Sequence, residues 1–250
     1  RRPKKAADAV RQAYADAPFP ASVTATWPRV SIVVCAYNAA DTLEDNLQSL
    51  ERLTYPDYEI ILVNDGSRDR TSEIGHSYSG VRVIDIPNGG LSAARKVGLA
   101  AATGAIVAYT DADTRVDRDW LTYLVQPFLT SDVVGSGGPN VVPADDPWVA
   151  QAVARAPGGP THVLFDDRLA EHVPGCNMAF RRDALLAIGG FNPIYLRAGD
   201  DVDVCWRLQA RGWKIGFASA ATAKRVPQDE TGRDVGRTAA DSGRVSPTSG

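Results

Sequence analysis

Three stretches of this chain, VSIVVCAY from Val30, EIILVNDGS from Glu59 and AIVAYTDAD from Ala105, are apolar almost without a break before they turn polar. A strand of this composition has no face to give to water, so it belongs inside a parallel sheet covered on both sides. The segments between these strands agree with that. ADTLEDNLQSLERL carries Leu43, Leu47 and Leu50 at helical spacing, and RDRTSEIGHSYS can form a second helix before the short strand VRVIDIP. GGLSAARKVGLAAATG reads as a helix opened by glycines and a serine cap and closed by Gly104. Strands alternating with helices predict an open α/β fold with a mostly parallel central sheet flanked by helices, whose ligands collect at the carboxyl ends of the strands.

The second half is less regular. DWLTYLVQPFL reads as a helix, DVVGSGGPNVV as a Gly-kinked strand, and residues 143–172 as a loop-rich cover. GCNMAFRRDALLAIGGF predicts a strand, a short helix from Asp183 and a Gly-Gly turn; DDVDVCWRLQARG predicts a helix stopped by Gly212, with the strand WKIGFAS after it. The expected organisation is a basic arm, helix and linker over 1–28, a folded domain over 29–220 divided near residue 113, and a polar, disordered tail over 221–250. The net charge of −3 over 250 residues argues against a broad nucleic-acid-binding face. Cys35, Cys176 and Cys205 are odd in number and sit in apolar or motif-like segments, which predicts reduced thiols. No apolar run approaches the roughly 18 residues of a membrane span and no signal peptide is seen, so a cytoplasmic location, extending to the cytoplasmic face of a membrane, is expected. The chain begins with Arg rather than Met, so upstream residues are expected to have been removed.

Asp111 and Asp113 close the third apolar run one residue apart, which in a strand sends both to the same side. Two carboxylates about 6 Å apart at an effective dielectric near 20 repel by roughly 3 kcal/mol, so a cation is expected between them. A calcium loop starting at Asp111 fails, because Arg115, Val116 and Thr122 stand where a ligand, Gly and Glu are required. A dinucleotide site fails for lack of glycines after the first strand; no phosphate-binding Gly-Lys-Ser/Thr loop and no Gly-x-Ser-x-Gly elbow occur. What remains is a solvated turn, or a pair holding Mn²⁺ or Mg²⁺ against a substrate's phosphates.

The ordered set VSIVVCAYNAADTL, EIILVNDGSRDRT, NGGLSAARKVGLAAATGAIVAYTDADT, GCNMAFRR, GGF and GDDVDVCWRLQARG resembles the family 2 glycosyltransferases of the GT-A fold, from about Arg29 to Ala220. The resemblance implies inverting transfer of a sugar from a nucleotide-diphosphate donor, a UDP-sugar by family frequency, to a hydroxyl of a glycan, lipid or small-molecule acceptor. It implies that Asp65, with the backbone at Ala36 and Tyr37, meets the donor's base and ribose, and that Arg95 contacts the nucleotide or its phosphates. Asp111 would face the ribose or donor sugar and, with Asp113, supply the metal's carboxylates. Asp201, beside Asp200, would be the general base, an assignment favoured by the stabilisation of carboxylates at a helix N-terminus. Trp148 could stack on a sugar and Asn177 could bond to donor or acceptor. The alternatives are a surface ion pair for Arg95, a helix cap for Asp200 or Asp201, and packing for Trp148 and Asn177.

The chain departs from the family pattern in places. Cys35 replaces a common Pro, Lys96 an Asn, and Asp200 a Glu. No His occurs after His172, although many members place a metal-binding His after the last strand; Lys224 lies near that position. QARGW misses the spacing of processive synthases. Two rival readings are a truncated or non-catalytic nucleotide-sugar binder, and a sugar-phosphate nucleotidyltransferase, which lacks its Gly-rich loop here. Peripheral membrane contact is expected only through terminal or absent segments.

Overall fold

The computed structural model describes residues 27–141 and 162–225. The first half delivers the expected alternation: β1 (Val30–Ala36), α1 (Leu43–Glu51), β2 (Tyr58–Asp65), α2 (Thr71–Ser77), β3 (Val81–Ile86), α3 (Leu91–Ala101) and β4 (Ile106–Asp111). The second half adds β5 (Thr114–Val116), α4 (Trp120–Thr130), β6 (Gly135–Gly137), β7 (Val163–Leu164), β8 (Leu169–His172), β9 (Met178–Arg181), α5 (Arg182–Ala187), α6 (Asp200–Gln209), β10 (Ile215–Phe217) and β11 (Ala223–Arg225).

Nine strands form one sheet in the order β3-β2-β1-β4-β9-β6-β10-β8-β7, in which β9 and β8 run against all the others. The sheet is therefore mostly parallel. Its first four strands are wholly parallel, with Cys35 registered against Asp111 and Ala36 against Asn64, so β1, β2 and β4 end along one edge. Alternation along β1 splits the core into two layers. Val30, Ile32 and Val34 pack with Leu43, Leu47 and Leu50 of α1 and Trp120, Leu121 and Leu124 of α4. Val33 faces the opposite layer, with Ala94 and Leu99 of α3 and Val204 and Leu208 of α6. Burying each such aliphatic side chain contributes about 1.5–3 kcal/mol, which is why the strands read as unbroken apolar runs.

Two expectations are corrected. Ser92 does not cap α3: Gly90 is the N-cap, and the Ser92 hydroxyl, already inside the helix, donates to the Tyr195 carbonyl at 2.6 Å. Ordered structure does not stop at Ala220, because β11 pairs antiparallel with β5 in a separate two-stranded sheet, and Ala221 and Ala223 are fully buried. Residues this small and this few leave no periodic signal. The helix expected within the first 28 residues and the cover segment containing Trp148 lie outside the described residues.

α3 packs on β1 through Gly98, where an added Cβ would overlap Val33 Cγ1. Ala gains about 1 kcal/mol of helix propensity over Gly, but overpacking a filled core costs about 1–3 kcal/mol. Gly98→Ala is therefore expected to lower the urea midpoint, with partial recovery in Gly98→Ala/Val33→Ala.

Candidate functional site

The shared edge of β1 and β4 opens onto a cavity of about 440 Å³, lined among others by Cys35, Tyr37, Arg95, Asp111, Asp113 and Asp201. They arrive from four places in the fold. Cys35 and Tyr37 come from the end of β1, Arg95 from α3, the two aspartates from the β4–β5 turn, and Asp201 from the first turn of α6.

Arg95 is the centre of the charge arrangement. Its guanidinium is almost wholly buried and donates to Asp200 Oδ2 at 2.7 Å, Asp111 Oδ1 at 3.3 Å and the Gly175 carbonyl at 3.0 Å. Burial opposes its charge, but the Asp200 and Asp111 carboxylates outweigh burial and raise its pKa above the ordinary arginine value. Part of the cation expected beside the aspartate pair is thus supplied by the chain itself. Arg95 is thus a buried bridge rather than the surface ion pair of the alternative reading, and it still lines the cavity. Arg95 ties α3, the end of β4, the 175 turn and the start of α6 together.

Asp200 is 1% exposed and joined to Arg95, which holds the start of α6, and it lies in the cavity lining beside Asp201. Asp201 faces the cavity. Its Oδ2 accepts from Gly175 N at 2.9 Å and its Oδ1 from Val202 N at 2.9 Å, two bonds that fix its direction. The Thr114 hydroxyl donates to Asp113 Oδ1 at 3.4 Å. The Cys35 thiol is pushed up to about 12, chiefly by burial and then by the surrounding carboxylates against Arg95.

The remaining assignments divide. Tyr37 is 53% exposed at the cavity wall, whereas Ala36 is buried beneath it. Asp65 stands outside the lining residues: its Oδ1 accepts from Gly89 N at 2.7 Å and its Oδ2 from Gly90 N at 2.9 Å, which shapes the entry to α3. Asn177 is corrected from an acceptor ligand to a core residue. It is fully buried, accepts from Trp120 Nε1 at 2.8 Å, and donates to the carbonyls of Pro139 and Ala221 at 3.1 and 2.8 Å. Trp148 lies outside the described residues. Arg197 lines the cavity and was missed. Its only signal in the sequence is its place just before the acidic start of α6.

The donor chemistry of the site fits a divalent ion of the Mg²⁺ or Mn²⁺ type. Asp111 and Asp113 offer hard carboxylate oxygens beside a cavity with room for a substrate. Among the described residues no three His, Cys, Asp or Glu side chains are grouped to hold an ion alone. Such ions are commonly held by one or two carboxylates together with substrate phosphates. Lys224, near the position expected for a His, pairs instead with Asp117 at 3.0 Å, and Thr222 donates to the same carboxylate. These contacts hold the Asp117 carboxyl below its usual range against the opposing effect of partial burial.

Solved structures with this architecture include the mannosyltransferase PcManGT from Pyrobaculum calidifontis in complex with GDP-Man and Mn²⁺, at 23% identity and a TM-score of 0.64, covering 82% of this chain and 59% of that one. S. aureus TarS 1–349 in complex with UDP-GlcNAc matches at 17% identity and a TM-score of 0.64, covering 80% and 59%. The sheet and its flanking helices are those of the GT-A fold. Residues 31–189 match the sequence model of glycosyl transferase family 2, and the chain belongs to that family. Among curated relatives, the uncharacterized glycosyltransferase EpsJ of Bacillus subtilis is 41% identical over 116 residues, 44% of this chain and 34% of that protein. The glucosyl-dolichyl phosphate glucuronosyltransferase of Haloferax volcanii is 28% identical over 201 residues, 72% of this chain and 63% of that protein. The chain thus spans from about a third to under two thirds of the length of these two relatives.

Proposed function

We propose that this chain transfers a sugar, with inversion, from a nucleotide-diphosphate donor to an acceptor hydroxyl, using Asp201 as general base and Mn²⁺ or Mg²⁺ at Asp111 and Asp113. The observation that carries the reading is the convergence of Asp111, Asp113 and Asp201 on one cavity at the carboxyl edge of the parallel strands. Brought in from opposite halves of the chain, these carboxylates leave space between them for donor and acceptor.

Tyr37 offers an exposed ring for the donor's base, and Arg95 keeps Asp111 aimed into the cavity. Asp201, held by two amide donors, accepts the proton of the acceptor hydroxyl as that oxygen attacks the anomeric carbon opposite the departing diphosphate. A bound divalent ion would supply neutralisation of the diphosphate charge. UDP is the favoured donor nucleotide, and solved relatives with UDP-GlcNAc and GDP-Man support a sugar nucleotide as the class.

Thermal unfolding with UDP, GDP and dTDP, each with and without Mn²⁺, tests this. A ligand at about 100 times its Kd adds roughly 2.7 kcal/mol, which raises Tm by about 5–10 °C in a domain of this size. One nucleotide that shifts Tm only with Mn²⁺ is the expected result; a folded sample indifferent to all of them contradicts it. The Lys224–Asp117 pair, standing near the expected metal-binding His, favours a second reading as a donor binder without turnover. Repeated turnover with any acceptor rules that reading out.

A further inference from the structure

Two residues past the end of β1 the backbone enters the left-handed region. Asn38 has φ +49° and is the only residue other than glycine found there among the described residues. Asn tolerates this conformation better than most residues, yet it persists only where the surroundings hold it. Here they do. Asn38 N donates to Ser67 Oγ at 2.9 Å, Asn38 Oδ1 accepts from Arg68 N at 2.8 Å, and Ala39 N donates to Thr71 Oγ1 at 2.8 Å. The turn after β1 is thereby clamped to the loop after β2.

The bond from Arg68 N defines which end of the amide is which, because only the carbonyl end accepts. The NH2 end, with two N–H groups to donate, has no partner among the described residues. Asn38 is exposed and lines the cavity next to Tyr37, whose ring is 53% exposed. Backbone conformation alone does not account for this residue, since glycine reaches the same φ at no steric cost. What Asn adds is an N–H donor held in one direction.

We propose that Asn38 selects the base of the sugar donor. Its NH2 donates to an oxo group on the outer edge of a base lying against Tyr37, so uracil, thymine or guanine is taken in preference to cytosine or adenine. This rests on the transferase reading and deepens its donor site. An exocyclic amine in the same place sets N–H against N–H, and neither finds an acceptor as the base leaves water. A mismatch of this kind discriminates more sharply than a small change of shape, because it leaves polar groups unpaired.

The test is isothermal titration of the whole chain, in the presence of Mn²⁺, with two matched pairs: UDP against CDP, and IDP against ADP. Ribose and diphosphate are the same within a pair, and the bases differ by the exchange of oxo for amino at that edge. The wild type is expected to bind the oxo member of the pair it accepts about tenfold tighter. Asn38→Asp keeps the left-handed backbone and the bond from Arg68 N but replaces the N–H groups with an acceptor, so the ratio should fall to about one or below. Its added charge acts on both members of a pair alike and leaves the ratio to report on the base. Asn38→Gly, which keeps φ and removes the amide, should also bring the ratio to about one. A role confined to shaping the turn would lower all affinities together and leave the ratio unmoved. Equal affinity for both members in the wild type, or an unchanged ratio in either variant, overturns the proposal while leaving the transferase reading in place. A folded wild type that binds none of the four nucleotides removes the transferase reading, and the proposal with it.

Discussion

Arg95→Met is expected to lower stability by about 3–5 kcal/mol, because it strands the Asp200 carboxylate in the interior without its partner. In a domain of this size that corresponds to a fall in Tm of roughly 6–20 °C. The arithmetic turns on burial. The Arg95 and Asp200 side chains are 3% and 2% exposed, whereas Arg29 and Asp57 form a pair of similar length, 2.6 Å, at 45% and 52% exposure. Removing the exposed pair should change stability by less than about 1 kcal/mol. Arg95→Met/Asp200→Leu should recover most of the loss, since an apolar replacement of a buried pair is often neutral or better. Equal urea midpoints for Arg95→Met and wild type would show that the bridge does not hold the site together.

Asp201→Asn is expected to lower the rate of sugar transfer by about 10²–10⁴-fold, the usual contribution of a positioned general base. The amide oxygen can still accept from Gly175 N, while the amide nitrogen cannot accept from Val202 N, so the longer-range of the two bonds holding the start of α6 should survive. Donor binding, read as the nucleotide- and Mn²⁺-dependent thermal shift, should therefore be retained while kcat falls. A variant that keeps its kcat places the proton acceptor elsewhere. Loss of both binding and rate would instead indicate that Asp201 supports the donor site.

The layout of the first half was legible because its strands are buried on both faces, and unbroken apolar runs are the mark that such burial leaves in a sequence. The placement of Asp111 and Asp113 at the end of the third run was legible for the same reason, whereas Asp201, in the first turn of α6, was expected from the family resemblance and the helix N-terminus. Burial of polar groups was not legible. Asn177 looks like a site residue in GCNMAF, yet its bonds go to Trp120, Pro139 and Ala221, residues 57, 38 and 44 positions away. The partnership of Arg95 with Asp200 has no local signal either, because neither residue's surroundings in the chain mention the other. The β5–β11 ribbon escaped because strands of three residues carry too little alternation to register.

The Arg95–Asp200 contact spans 105 positions, and the Arg95–Gly175 contact spans 80. The four parallel strands β3-β2-β1-β4 are complete by Asp111, so during synthesis the sheet that carries the first half of the site can assemble while α6 does not yet exist. Until then the Arg95 guanidinium has only Asp111 among its three acceptors and remains hydrated. Closing so long a loop is the slow kind of step, since its entropy must be overcome before the contact rewards it. The cavity is consequently a late product of folding, and amides of the 175 turn and of the first turn of α6 should acquire protection from hydrogen exchange after those of β1 and β2.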